Sequence, residues 1–179
     1  MKDLKEFNIH FVGFKEGSRL FNYEIDNTFF DAFNYDDFLS SAVKIELNFT
    51  KKSTHFELDF SATGHVNIPC DTTSEPFDLE VTPSISMVVK FGPEFNDDHE
   101  DIITIPYEAN KIDVSQYIYE MIVLSIPQKR VHPKVLDGTM ESEALSKLEE
   151  LEITKEKNVS KETDPRWDQL KNITTEKNI

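Results

Sequence analysis

The chain has 179 residues, with 34 Asp+Glu against 19 Lys+Arg, and its net charge of −15 excludes broad, non-specific binding to nucleic acid, whose phosphates would repel it. A hydrophobic content of 38%, including 14 Phe, suffices for the core of one domain plus a tail, and no apolar run approaches the ~20 residues of a membrane span. A single Cys cannot form an internal disulfide, and the opening MKDLKEFNIH has no apolar signal region, which together point to a reducing, cytoplasmic setting.

Phe7, Ile9 and Phe11 alternate with Asn8 and His10, the period of a half-buried strand. Gly13 and Gly17 bracket a loop, and Phe21, Tyr23 and Ile25 alternate again, so a first hairpin is expected. Asn27 is positioned to cap a short helical turn carrying Phe29, Phe30 and Phe33, with Tyr35 to Ser41 as loop. The strongest pattern follows: Val43, Ile45, Leu47 and Phe49, then Phe56, Leu58, Phe60 and Ala62, on either side of Lys51-Lys52-Ser53. This predicts an antiparallel hairpin with one buried and one wet face. Gly64 marks a bulge or bend, after which Val66, Ile68 and Cys70 continue the alternation. Further short strands are expected at Phe77–Val81, Ile85–Phe91 and Ile102–Ile105.

The period then becomes helical. Asp113 with Gln116 resembles a capping box, and Val114, Tyr117, Ile118, Met121, Ile122 and Ser125 share one face of a helix that Pro127 stops. Gln128 to Gly138 is a basic connector. Thr139 is the expected cap of a second helix with Ala144, Leu145, Leu148 and Leu151 in its stripe. Residues 152–163 read as a charged, flexible linker, and Asp164-Pro165 as the start of a short terminal helix or tail, 164–179. The expected class is α+β: an antiparallel, sandwich- or barrel-like core (1–110) followed by helices (111–151) within one domain, 1–151.

Chemistry is sparse. Cys70 would be a nucleophile only beside a His; it also fits the alternation as an inward-facing residue. Glu94, Asp97, Asp98, Glu100 and Asp101 are dense enough for a hard cation but lack the spacing of a calcium loop, and fit a solvated loop tip better. His10, His55 and His65 would form a metal site only if their strands were neighbours. No catalytic triad signature, phosphate loop or dinucleotide fingerprint is present, so no catalytic residue, metal or cofactor is assigned.

Two segments carry the candidate contacts. Residues 1–126 hold 23 acidic and 9 basic side chains, a balance of −14, whereas residues 127–179 hold 11 and 10, a balance of −1. Within the second part, PQKRVHPK offers Lys129, Arg130, His132 and Lys134 between prolines. It either meets RNA phosphates or an acidic protein, or is a solvated loop supporting the preceding helix dipole. DPRWDQLKNI places Asp164, Pro165, Arg166, Trp167 and Leu170 on a helix too short to be stable alone, which either folds back or docks on a partner.

The order of these features, a strand-rich part leading to IPCDTTSEPFDLEV, an acidic loop, IDVSQYIYEMIVLSIPQKRVHP and terminal DPRWDQLKNI, resembles the YceD family of large-subunit ribosomal RNA accumulation proteins in its Bacteroidetes-like form. The resemblance implies a non-enzymatic role in biogenesis of the large ribosomal subunit. The implied partners are ribosomal protein or ribosomal RNA of the subunit precursor, with no membrane and no small-molecule substrate. Many relatives carry a CxxC pair at the turn where this chain has Cys70 and Thr73, a departure that makes the turn structural here. The acidic excess favours a protein partner, with RNA contact limited to Lys129, Arg130, Lys134 and Arg166. The alternatives are an acidic interaction module recruiting through its terminal Trp helix, and a metal-dependent hydrolase built on the acidic loop or the strand histidines.

Overall fold

A computed structural model describes residues 4–99 and 101–157. They form two compact units, one running to Asp137 and a second beginning at Gly138. The class is α+β, and among the described residues the main sheet is open, with seven strands and no closure into a barrel. Among the described residues no helix is long and apolar enough to cross a membrane.

The sheet is organised around two long strands, β3 (Ser40–Lys51) and β4 (His55–Pro69). They pair antiparallel with Leu47 opposite Phe60 and Phe49 opposite Leu58, as their alternation predicts. Leu47, Phe49, Phe56 and Leu58 are all at most 1% exposed, and burial of each such side chain stabilises the fold by roughly 1.5–3 kcal/mol. Outside β3 lies β2 (Gly17–Ile25). The other side of β4 is shared end to end. Its first half pairs with β6 (Ser84–Gly92) and its second half with β5 (Pro76–Val81). Beyond β6 come β8 (Ile102–Pro106), parallel to it, and β7 (Asn96–His99), antiparallel to β8.

Gly64 sits at the changeover on β4. Register with β3 runs through it without a bulge, contrary to expectation. Its role is close approach: a Cβ there would lie 2.2 Å from the Ala42 carbonyl oxygen.

The expected first hairpin does not form. β1 (Asn8–His10) pairs with β9 (Lys111–Asp113) in a separate two-stranded ribbon. The reason is that the flanking aromatics meet the main sheet on its face. Phe7 stacks on Tyr23 at 5.0 Å, and Phe11 meets Phe56 at 4.8 Å and Phe91 at 6.0 Å. Alternation specifies a strand but not its partner. The same layer holds α1 (Asn27–Ala32) and α2 (Ser115–Leu124), joined by stacking of Phe33 on Tyr119 at 4.5 Å. Val114, Ile118, Met121 and Ile122 of the predicted stripe are buried.

Three caps differ from expectation. Asp26, not Asn27, caps α1 by accepting from Thr28 N; the Asn27 amide instead donates to the Phe38 and Leu39 carbonyls, fastening the following loop. Asp113 accepts from Ser115 N and Oγ before α2, but Gln116 turns to Glu120 instead of closing a box. In the second unit, α4 (Glu143–Lys157) starts at Ser142, whose Oγ accepts from Leu145 N, rather than at Thr139. Its backbone stays helical to Lys157, past the boundary expected at residue 151.

Candidate functional site

The two segments that drew notice separately, the Cys70 turn and the basic connector, meet in the fold. β4 ends at Pro69 and the chain reverses through Cys70 to Glu75 before β5. Ser74 N donates to the Cys70 carbonyl and Cys70 N to the Glu75 carbonyl, with Ser74 in the left-handed region at φ 60. The connector docks on this turn. Asp71 N donates to the Arg130 carbonyl (2.8 Å), Arg130 N donates to Asp71 Oδ2 (2.7 Å), and His132 N donates to Cys70 Sγ (3.3 Å). The His132 ring lies 5.3 Å from that of Phe77, and its Nδ1 accepts from Lys134 N, capping a single turn, α3 (Pro133–Leu136).

Cys70 is thus held by donors. Burial pushes its thiol up. Hydrogen bonds from the Thr73 hydroxyl and from the N–H groups of His132, Thr72 and Thr73 outweigh this and bring it from 9.0 down to about 7. Thr73, standing where a second Cys would complete a pair, is therefore a partner of the sulfur. Its hydroxyl is no soft metal ligand, and among the described residues no group of three or more His, Cys, Asp or Glu is placed to hold a metal ion.

The cations of the connector divide. Arg130 is half-buried and its guanidinium lies 3.6 Å from Asp37 and 4.0 Å from Asp71. Asp37 also accepts from Tyr35, whose hydroxyl is pushed up to about 12 by burial and then by that carboxylate. Lys129 and Lys134 are exposed. His132 is half-buried, with its Nδ1 engaged in the cap. Asp164, Pro165, Arg166, Trp167 and Leu170 lie outside the described residues. His10 stands on the two-stranded ribbon while His55 and His65 sit ten positions apart on β4, so the three strand histidines do not converge.

A second feature arises only from long-range packing. A trough of about 1120 Å³ runs between β6, the β7–β8 turn and α2. Ile85, Met87, Ile103 and Met121 give it an apolar floor, and Leu124 forms part of its wall. Five carboxylates line it, Glu57, Asp59, Asp97, Asp101 and Glu120, with no Lys or Arg in the lining among the described residues; Glu57 pairs with Lys52 at 3.3 Å, and Asp59 accepts from Ser86 Oγ. Tyr117, also in the wall, is pushed up to about 12 by burial and then by Asp97, Glu120 and Asp113. The acidic loop, expected as a solvated tip, forms β7 and brings Asp97 and Asp101 to this rim.

A family model described as large ribosomal RNA subunit accumulation protein YceD matches residues 58–174. The chain belongs to the YceD family. The match takes in the Cys70 turn, β6, the trough's rim, α2 and the connector, and leaves β1 to β3 outside it. No curated protein and no solved structure gives a significant match.

Proposed function

We propose that this YceD protein is a non-catalytic, cytoplasmic factor that supports accumulation of large-subunit ribosomal RNA by holding a cationic protein component of the subunit precursor. Family membership supplies the process. One structural observation favours protein over RNA as the direct partner. The guanidinium at the centre of the basic connector faces Asp37 and Asp71, while Asp59, Asp97, Asp101 and Glu120 line an open trough beside Glu57, which pairs with Lys52. Charge of that sign attracts a basic chain and repels phosphate. Any RNA contact falls to Lys129 and Lys134, at the edge of the acidic body, where repulsion beyond about 8 Å is screened at physiological salt. The terminal segment with Arg166, Trp167 and Leu170 is the second candidate for partner contact, because Trp and Arg commonly anchor interfaces.

The test is sedimentation of cell extract combined with in-cell crosslinking. The protein should travel with large-subunit precursors, crosslink to a basic ribosomal protein, and on deletion lower the large-to-small subunit ratio. A protein that stays at the top of the gradient, with an unchanged ratio in the deletion strain, removes the proposal.

A further inference from the structure

The trough is bounded by an unfinished sheet edge. β6 spans Ser84–Gly92, but β8 pairs only with Val88–Gly92. The direction of the remaining backbone groups follows from the ladder. Ala62 N donates to the Pro83 carbonyl, so that facing pair is hydrogen-bonded. Hydrogen-bonded and non-bonded pairs alternate in antiparallel strands. Ile85 and Met87 therefore bond to β4, opposite Phe60 and Leu58, while Ser84, Ser86 and Val88 direct their N–H and C=O groups away from it. Val88 confirms the phase, because its N–H donates outward to the Asp101 carbonyl. Ser84 and Ser86 present the same outward groups beside the trough, where no strand among the described residues is paired.

An unpaired edge is a template for an added strand, and natural sheets usually blunt it with cations or proline. Within Ser84–Met87 the edge carries neither, Pro83 standing just before it. It carries serines, with Asp59 across the ladder and Glu120 on the helix opposite. Leu124, 81% exposed, adds apolar surface to the same wall.

We propose that the open edge at Ser84–Met87 takes up an extended, lysine- and arginine-rich segment of a partner protein as an added β-strand. The backbone of Ser84 and Ser86 pairs with it, and its basic side chains reach the trough carboxylates. Backbone pairing supplies affinity, and the carboxylates with the apolar floor select an alternating basic and apolar sequence. This identifies the site and partner chemistry for the cationic-protein reading above and rests on it.

The experiment uses the full chain and a labelled synthetic peptide of alternating lysine and valine, followed by fluorescence anisotropy and amide hydrogen exchange. In the free protein the Ser84 and Ser86 amides should exchange fast; on adding peptide they should become protected. Ser86→Pro removes an outward N–H without touching a bond to β4, and should weaken binding about ten-fold, the effect of one or two lost backbone hydrogen bonds. The same peptide with alternate backbone nitrogens methylated tests the identical bonds without altering the protein, and should bind equally poorly. Asp59→Lys with Glu120→Lys should abolish binding. The proposal is overturned if the methylated peptide binds as well as the parent, which would reduce the attraction to undirected charge. Protection of Ser84 and Ser86 in the free protein, from a second copy or from the chain's own second unit, also overturns it. Peptide results of this kind alongside normal co-sedimentation with subunit precursors would sink the edge and spare the functional reading. Edge-directed peptide binding by a protein absent from those fractions would sink the functional reading instead.

Discussion

The connector and the trough show opposite fates for charge. Lys129, Arg130 and Lys134 form the basic cluster that stands out along the chain, yet its central member is held between Asp37 and Asp71 and its backbone is stitched to Asp71. The trough's carboxylates come from residues as far apart as Glu57 and Glu120, and only Asp97 and Asp101 belong to a cluster visible along the chain; Glu57 pairs with Lys52, while the others line the trough with no lysine or arginine beside them in its lining among the described residues. Charge available to a partner is what remains after the fold has satisfied its own ions. Both regions depend on β4, whose first half supports β6 and the trough and whose second half leads to Cys70 and the connector's dock.

The largest effect should come from the point where those halves join. In Gly64→Ala the added methyl would press on the Ala42 carbonyl and the Val43 Cα, backbone atoms that cannot rotate aside. A cost at the upper end of roughly 1–3 kcal/mol is expected. Each kcal/mol lowers Tm by about 2–4 °C in a chain of this size. Thermal unfolding with hydrogen exchange should show protection falling in both halves of β4; a variant as stable as the parent would refute the close-approach role.

Next comes the dock alone. Asp71→Ala removes the acceptor of Arg130 N and one carboxylate from the guanidinium. This bond is exposed, so water takes over as acceptor and the loss is the net worth of one hydrogen bond, about 0.5–1.5 kcal/mol. Exchange should rise at residues 130–132, while peptide binding at the trough stays unchanged. Coupled loss of both would mean that the regions are not independent.

These cases show what the sequence discloses. The β3–β4 hairpin is legible because alternation is local: each of Val43, Ile45, Leu47 and Phe49 is placed by its immediate neighbours. The apolar face of α2 is legible for the same reason. Partner choice is not local. Nothing in Phe7 to Phe11 says that it pairs with Lys111–Asp113 instead of the following strand, and nothing in Asp97 says that β7 folds back along β8. The candidate site splits the same way. The residues of the connector are evident as a cluster, but their neutralisation by Asp37 and Asp71 is a long-range contact. The trough exists only once β6, β7, β8 and α2 are placed.

A smaller effect should follow pH. The Cys70 thiol sits at about 7 in the fold against 9.0 as its ordinary value. Between those values the unfolded chain binds the extra proton, so the contribution to stability is complete above about 9 and is lost as pH falls through about 7. Tm of the parent should climb relative to Cys70→Ala by a few degrees across that interval. Parallel Tm curves for the two proteins would show that the donors from Thr73 and His132 do not hold a thiolate.

The smallest effect on the fold belongs to Lys129 and Lys134. Both are exposed, and substitution to Ala should change stability by less than about 0.5 kcal/mol. They nonetheless decide between the two regions as partner sites. Were the connector the working surface, each lysine neutralising a phosphate would add about 0.7 to the salt slope for single-stranded RNA, and the double variant would lose about 1.4. With the trough as the working surface, an RNA probe at physiological salt should bind too weakly for a slope to be measured, and the double variant should take up the lysine-valine peptide like the parent. A measurable slope that drops on removing both lysines would return the connector to the centre of function and leave the carboxylates as solvated surface.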